Sequence, residues 1–302
     1  MTHRRAVLLM VCVTLMWSIA GIVTRHLDSA RGFETTFWRS LFNALALTLM
    51  LGWMRGPATL WRTLRGGGRA LWTSGLCWCV MYTAFMLAIT LTTVANVLVT
   101  MALAPLLTAL AARFALGHRL APRTWAAIVV AGAGIAWMYG TELAGSEPRH
   151  LLGTAVALCV PIAAAINWTL LQHLYRKASD EPPPDMLAPV LLGALLSAAL
   201  TLPLSLPLQA TPHDLGLLAL LGVVQLAIPC LLAVRVARVL SAPEVSLLGL
   251  LEVVFGVLWV WLGTDEAPSA SVLGGGLLVL GSLAANEALA LRHSGPTSLQ
   301  RR

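Results

Sequence analysis

The sequence predicts an all-α polytopic membrane protein with ten transmembrane helices in two inverted five-helix repeats. Three observations predict this fold class: the composition, the length of the apolar blocks, and a repeat between the two halves of the chain. Hydrophobic residues make up 58% of the 302 residues and charged residues 11%, against about a quarter charged in a typical soluble domain. Charged residues are therefore too few to cover a soluble core.

The apolar residues fall into blocks of about 20, the length that a helix needs to cross a hydrocarbon core about 30 Å thick. The blocks are 6–26, 34–54, 70–90, 93–115, 122–140, 151–175, 186–207, 214–235, 241–262 and 269–291. A β-barrel would need short segments that alternate between apolar and polar residues, whereas these blocks are apolar throughout. The first block lacks a small-residue cleavage site before its apolar run continues, so we interpret it as a retained helix.

The net charge of +7 is distributed by predicted loop and forms no single patch. If the N-terminus is cytoplasmic, all but four of the 20 Lys and Arg residues lie in inner segments. The four on the outer side are Arg25, Arg31, Arg39 and Arg149. This positive-inside bias predicts a multi-pass protein of the cytoplasmic (inner) membrane with both termini in the cytoplasm. The charge thus indicates topology, and no nucleic-acid partner is expected.

The two halves of the chain resemble each other at an offset of about 147 residues. The clearest pair is 92–120 and 239–268, and each segment ends at a polar turn that precedes a Gly-rich helix. Because five helices per half is an odd number, the predicted repeats, 1–145 and 146–302, must have opposite orientations. Inverted repeats are typical of secondary transporters, which bind substrate near the membrane midplane between the halves.

Three features carry a resemblance to the ten-helix, EamA-type branch of the drug/metabolite transporter superfamily. They are the block LAPLLTALAARFALGHRL with Pro105, the block LLEVVFGVLWVWLGTDEAP with Glu252, and Arg39 early in the second helix. Val253 stands where the family often has Pro, and His118 where it often has Glu. The resemblance implies a central cavity lined by the first, third, fourth, sixth, eighth and ninth helices. It also implies amino-acid or metabolite export among the family's common activities.

Glu252 lies near the middle of the ninth apolar block. Gly249, Glu252, Gly256 and Trp259 share one stripe of that helix, and glycines let a neighbouring helix come close. Glu252 should therefore face the bundle. An ionisable group at this depth is costly and marks a pathway or proton relay. The alternative is a structural carboxyl that is hydrogen-bonded to a neighbouring helix.

Other polar and aromatic side chains at similar depth form the candidate substrate-binding set. They are Trp17, Ser18, Trp78, Tyr82, Asn96, Thr100, Asn167, Trp168 and Gln225, and they come from the helices that the resemblance assigns to the cavity. Trp78 and Tyr82 are four residues apart, so they share a helix face and could form an aromatic wall. The alternative is that these aromatic residues fill the bundle or form interfacial belts.

Arg39 lies about five residues from the outer end of the second block. We expect it to extend outward or to form a salt bridge with Glu34 or Asp28, with an outer gate as the lesser alternative. No basic residue is then expected deep in the bundle. This argues against phosphorylated substrates, which would require Lys or Arg at the site.

The sequence lacks the motifs that would indicate a metal site, ATP binding or an enzyme. All five cysteines lie inside apolar blocks without the clustered ligands that metal sites require, so we expect no metal and no cofactor. No Walker motif for ATP is present, and no nucleophile–base pair or HExxH motif indicates an enzyme. An enzyme or a channel is thus a remote alternative.

The sequence favours a secondary exporter of small metabolites that works by alternating access. Neutral or aromatic amino acids are the favoured substrates, because the expected cavity is mostly neutral, aromatic and amide-lined. Drugs or other small metabolites are the alternative. The expected partners are a small-molecule substrate, the lipid bilayer and, if transport is coupled, protons. The sequence leaves the choice between proton coupling and facilitated diffusion open, and the oligomeric state as well.

Overall fold

The computed structural model of the chain describes residues 1–116, 122–143, 148–177, 186–264 and 269–293, and these residues include helices and no strand. His118 and the PPP run at 182–184 lie outside this part of the chain. The helices are α1 (His3–Ser18), α2 (Ala20–Arg25), α3 (Gly32–Arg55), α4 (Pro57–Gly66), α5 (Arg69–Leu91), α6 (Val94–Met101), α7 (Ala104–Leu116), α8 (Pro122–Leu143), α9 (Pro148–Lys177), α10 (Ala188–Thr201), α11 (Pro212–Leu220), α12 (Ile228–Val236), α13 (Ala242–Gly263) and α14 (Ala270–His293). The all-helical class predicted from the sequence is confirmed.

Two prolines lie where long helical segments change their hydrogen bonding. The ring of a proline cannot donate a backbone N–H and collides with the carbonyl four residues earlier. Pro105 opposes the Met101 carbonyl, and α6 ends at Met101. Pro229 opposes the Gln225 carbonyl, and residues Leu221–Ala227 between α11 and α12 form a π-helical turn. Such turns occur most often at functional sites, and this one contains Gln225.

Six helical segments of the described chain are long and apolar enough to cross a membrane. They are His3–Arg25, Arg69–Leu91, Val94–Ala115, Pro148–Lys177, Pro212–Val236 and Glu244–Gly263. Shorter apolar helices cover Trp125–Gly134, Ala188–Leu204 and Leu273–Ser282. The number of ten membrane crossings stays a prediction. Large apolar side chains also face outward, including Trp53 at 90% exposure and Phe114 at 80%. Extensive apolar surface of this kind suits contact with lipid.

One helix, α4, lies between the apolar blocks 34–54 and 70–90, where the sequence analysis predicts no helix. The backbone turns at Gly56, whose φ of 80° favours glycine, and α4 follows with Pro57 at its first position. On α4, the Arg65 guanidinium lies 4.5 Å from the ring centroid of exposed Trp61. The segment is too short and too polar to cross a membrane, which is why apolar block length could not indicate it.

Small residues bring together the helices that carry the central side chains. A Cβ added to Gly193 of α10 would lie 2.4 Å from the Trp78 Cβ of α5. A Cβ added to Gly222 of the π turn would lie 2.8 Å from the Arg39 carbonyl oxygen of α3. These contacts require glycine, because real Cβ atoms do not approach so closely. They fix α5 against α10, and α3 against the π turn.

Candidate functional site

A cavity of about 120 Å³ lies at the centre of the bundle. Its wall combines residues from α1, α3, α5, α6, α7, α9, the π turn, α12 and α13. Of the residues predicted from the sequence, seven line it: Trp17, Arg39, Trp78, Tyr82, Trp168, Gln225 and Glu252. The wall is otherwise mostly apolar. A small number of convergent polar groups in an apolar cavity is the usual form of a small-molecule site.

The position of Arg39 is the main point on which the structure corrects the sequence analysis. Its side chain is 2% exposed and lies inside the bundle, with no salt bridge to Glu34 or Asp28. Its Nε and Nη2 donate to Oε1 of Gln225 at 3.2 and 2.9 Å. Its Nη1 donates to the Tyr82 carbonyl oxygen at 3.4 Å. The bundle therefore does contain a deep basic residue, and the argument against anionic substrates no longer holds.

Gln225 connects the two halves of the chain through both ends of its amide. The oxygen accepts from Arg39 of α3, and Nε2 donates to the Trp17 carbonyl oxygen of α1 at 3.1 Å. A carbonyl in the α-helical ladder is normally occupied by its own helix. The Trp17 carbonyl lies at the end of α1, where it also accepts the backbone N–H of Ile19. The amide of Gln225 thus satisfies a helix end and orients a cation.

Glu252 lies on α13 with an exposure of 8% and lines the same cavity. Within the described residues its carboxylate has neither a hydrogen bond nor an ion pair at 4.0 Å or less. It interacts electrostatically with Arg39 across the cavity. Buried charges are usually paired directly. These two groups instead face the cavity separately.

Aromatic side chains form one wall of the cavity. The ring centroids of Trp78 and Tyr82 are 5.6 Å apart, and those of Trp78 and Trp168 are 5.8 Å apart at an interplanar angle of 88°. The edge-to-face arrangement of the two tryptophans is a favourable aromatic geometry. The Trp78 indole N–H has no hydrogen-bond partner in the described structure. Phe85 extends this wall to Arg39, whose Cζ lies 5.4 Å from the Phe85 ring centroid.

Four of the predicted site residues lie outside the cavity wall and bond to neighbouring helices or to their own. Ser18 accepts from the Trp259 indole at 3.0 Å. Asn96 donates to Thr154 at 2.7 Å, and Thr100 donates to the Asn96 carbonyl at 2.8 Å. Asn167 accepts from Ser74 at 2.6 Å. In this structure these four residues make polar contacts within and between helices and do not line the cavity, and their assignment as substrate contacts stays a prediction.

The sequence analysis missed the apolar and sulfur-containing part of the wall. It includes Met10, Met81, Phe85, Met101 and Cys230. Met81 and Phe85 flank Tyr82 on α5, so proximity along the helix was the only available signal. Apolar side chains that line a cavity have the same composition as those that face lipid or fill a core, and the sequence alone does not separate them.

A second polar cluster joins the halves at one end of the bundle, and we call it the α3–α11 clasp (Asp28, Glu34, His213 and Asp214). The Asp214 carboxylate accepts backbone N–H bonds from Asp28, Ser29, Ala30 and Thr211 at 2.7 to 3.1 Å. The Glu34 carboxylate accepts from the N–H groups of Gln209 and Ala210 at 2.7 and 2.8 Å.

The clasp contains side chains of the types that bind metals, but their ligand atoms are engaged in hydrogen bonds and an ion pair. The ligand-type atoms of Asp28, His213 and Asp214 lie within 4.8 Å of one another. The Asp214 carboxylate is already occupied by four N–H donors, and Asp28 pairs with His213 at 3.1 Å. None of the clasp residues lines the central cavity. At the N-terminal ends of α1 and α13, His3 contacts Glu244 at 3.0 Å.

The model of the EamA-like transporter family matches the chain twice, over residues 4–140 and 151–286. The chain belongs to the EamA-like transporter family. Its members are membrane transporters of small molecules, and the apolar helices of this chain agree with a multi-pass membrane protein. One solved structure, titled only as the crystal structure of a protein, is similar in fold, with a TM-score of 0.63 at 20% identity. The match covers 98% of this chain and 100% of that one. No curated protein matches the sequence.

Proposed function

We propose that this EamA-like protein is a secondary carrier that exports a small metabolite across the cytoplasmic membrane by alternating access. Neutral or aromatic amino acids are the proposed substrates, and drugs or other small metabolites are the alternative. The observation that carries the proposal is the central cavity, whose wall holds Arg39 of the first half together with Gln225 and Glu252 of the second. A site between two halves can open to either side in turn.

The proposed topology has ten spans in two inverted repeats, 1–145 and 146–302, with both termini in the cytoplasm. The two matches of one family model, one in each half, support the repeat. The excess of Arg in the predicted inner loops supports the orientation. In this orientation the α3–α11 clasp lies on the outer side.

The size of the cavity limits the solute. A cavity of about 150 Å³ accommodates benzene, and this cavity is about 120 Å³. The apolar part of the substrate should therefore be no larger than a small ring or a branched aliphatic group in this state. The aromatic wall of Trp78 and Trp168 suits such a group. The polar groups around Arg39 and Glu252 suit a polar head.

Glu252 is the proposed coupling residue if export is driven by protons. A carboxyl that lines the cavity without a hydrogen-bond partner in the described residues can gain and lose a proton as the site changes exposure. A structural role for Glu252 would require a stable partner on a neighbouring helix. The absence of an ATP motif agrees with secondary transport.

Counterflow in proteoliposomes tests the proposal. Vesicles are loaded with an unlabelled neutral amino acid and tested for uptake of the same labelled compound, against protein-free vesicles, with and without a pH gradient. A carrier gives saturable uptake that depends on the internal substrate. If no neutral or aromatic amino acid exchanges while the protein remains folded, the substrate proposal is wrong. A wider panel that includes carboxylate and phosphate metabolites, which the buried Arg39 permits, then tests the carrier itself.

A further inference from the structure

Arg39 has unused hydrogen-bonding capacity at the cavity. A guanidinium carries five N–H donors, and the structure gives Arg39 three bonds, two to Gln225 and one to the Tyr82 carbonyl. One N–H on each Nη is left for another acceptor. The residue is 2% exposed and lines the cavity, so an acceptor would have to enter the cavity to reach it. Two N–H groups on one guanidinium match the two oxygens of a carboxylate.

Glu252, when ionised, carries the opposite charge, and unlike Arg39 it has no hydrogen-bond partner among the described residues. Its side chain lines the same cavity. A buried ion without a partner is costly, and the attraction between Arg39 and Glu252 compensates only in part because they form no direct ion pair. A donor with a positive charge would complete the coordination of Glu252.

Gln225 accounts for the separation of the two charges. Its oxygen accepts two bonds from Arg39, while its nitrogen is held by the Trp17 carbonyl. The Phe85 ring lies 5.4 Å from the Arg39 Cζ. These contacts fix the guanidinium against α5 and the π turn, so that it does not move onto Glu252. The cavity therefore keeps a positive group and a negative group apart.

We propose that the separated pair binds a zwitterion, with the substrate carboxylate on Arg39, the substrate ammonium on Glu252 and the apolar side chain against Trp78 and Trp168. The inference rests on the proposed transport function and names the ligand chemistry of the same cavity. An anion would pair with Arg39 and leave Glu252 without a partner. A cation would do the reverse. A zwitterion neutralises both groups at once, which is the electrostatically complementary solution.

Three ligands with one side chain separate these cases. L-leucine carries both charges, 3-methylbutylamine lacks the carboxylate, and 4-methylpentanoate lacks the ammonium. Binding is measured near neutral pH as ligand-induced thermal stabilisation of the detergent-solubilised protein. Each single-charge analogue should bind about 10- to 100-fold more weakly than leucine, the loss expected for one charge-assisted hydrogen bond. Equal binding of leucine and either analogue would overturn the inference.

Two variants assign each charge to its residue. In Arg39→Gln the preference for leucine over the amine should disappear, and in Glu252→Gln the preference for leucine over the acid should disappear. Each preference is a ratio within one protein, so a general loss of stability does not imitate the result. Arg62→Gln, on exposed α4, is the control and should keep both ratios. Unchanged ratios in Arg39→Gln and Glu252→Gln would overturn the assignment.

The binding assay tests the zwitterion site, and counterflow tests the transport function, so either proposal can be contradicted without the other. Leucine binding with the expected charge preference but without counterflow would contradict the proposed transport function and leave the zwitterion site standing. Counterflow of the zwitterion, the amine and the acid at similar rates would support a carrier and contradict the zwitterion site. Counterflow of leucine, together with equal binding of leucine and both single-charge analogues, would also contradict the zwitterion site.

Discussion

Arg39 of α3 and Gln225 of the π turn are joined by two hydrogen bonds to a single oxygen, at 2.9 and 3.2 Å. The contact links residues 186 positions apart and orients a buried cation in the central cavity. Because the same Gln225 also binds the end of α1 through Trp17, three elements depend on one amide. The position of the cation is therefore set by a neutral side chain, and its charge remains available to a ligand.

Replacing Gln225 with Leu should destabilise the fold while keeping side-chain volume. Two N–H groups of Arg39 would lose their partner, and the Trp17 carbonyl would lose one of its two donors, at a cost of about 1–3 kcal/mol in the free energy of unfolding. Thermal unfolding in detergent measures the change. Gln209→Leu is the matched control because the Gln209 side chain is exposed. An unchanged midpoint in Gln225→Leu would show that the amide does not hold Arg39.

Glu252→Gln should remove the response of transport to a pH gradient. The amide keeps the size of the side chain but cannot carry a proton across the cycle. The measurement is the ratio of initial uptake rates with and without the gradient in proteoliposomes. Glu244→Gln, on the same helix and exposed, removes a carboxylate elsewhere and should keep the ratio near that of the parent protein. A full response of Glu252→Gln to the pH gradient would contradict the proposed coupling role of Glu252 and favour the structural alternative.

Gly249→Val should narrow the substrate range. Gly249 lines the cavity, and a Cβ added there meets no atom within 4 Å, so a larger residue at this position would reduce the cavity volume. Counterflow should fall for phenylalanine far more than for alanine, since the space that remains suits the smaller side chain. Gly216→Val on α11 is the control, because its added Cβ also meets nothing and Gly216 lies outside the cavity wall. Equal losses for both amino acids would place the substrate elsewhere.

Asp214→Asn should weaken the α3–α11 clasp. The Asp214 carboxylate is fully buried and accepts four backbone N–H bonds. The amide nitrogen of Asn is itself a donor and would face backbone N–H groups that the carboxylate oxygen now accepts, at a cost of about 1–3 kcal/mol in the free energy of unfolding. The measurement is the free energy of unfolding in detergent. Asp28→Asn is the control, because the exposed Asp28–His213 pair is worth about 0–1 kcal/mol. Similar losses in both variants would contradict the assigned role of Asp214.

The helical membrane architecture could be predicted because block length and composition have a direct physical cause. A bilayer requires long apolar segments with internally satisfied backbone groups, and Arg69–Leu91 and Glu244–Gly263 meet that requirement in sequence as in structure. The α4 helix does not follow from this rule. Its ten residues contain Arg62 and Arg65, so their polarity predicts a loop.

The site could be predicted only in part, because helix rotation and depth do not follow from apolar length. Trp78, Trp168 and Gln225 line the cavity, whereas Asn96 and Asn167 face neighbouring helices. Both groups point into the bundle, and a sequence pattern does not separate a cavity wall from a helix contact. Arg39 was placed near the outer surface for the same reason. Its true depth depends on an acceptor 186 positions away.

The most direct test of the account is a structure determined with L-leucine bound. The account predicts the ligand in the central cavity, with its carboxylate within hydrogen-bond distance of the Arg39 guanidinium and its ammonium near the Glu252 carboxylate. Its side chain should contact Trp78 or Trp168. A ligand bound outside the cavity, or bound inside it with both charged groups away from Arg39 and Glu252, would contradict the account.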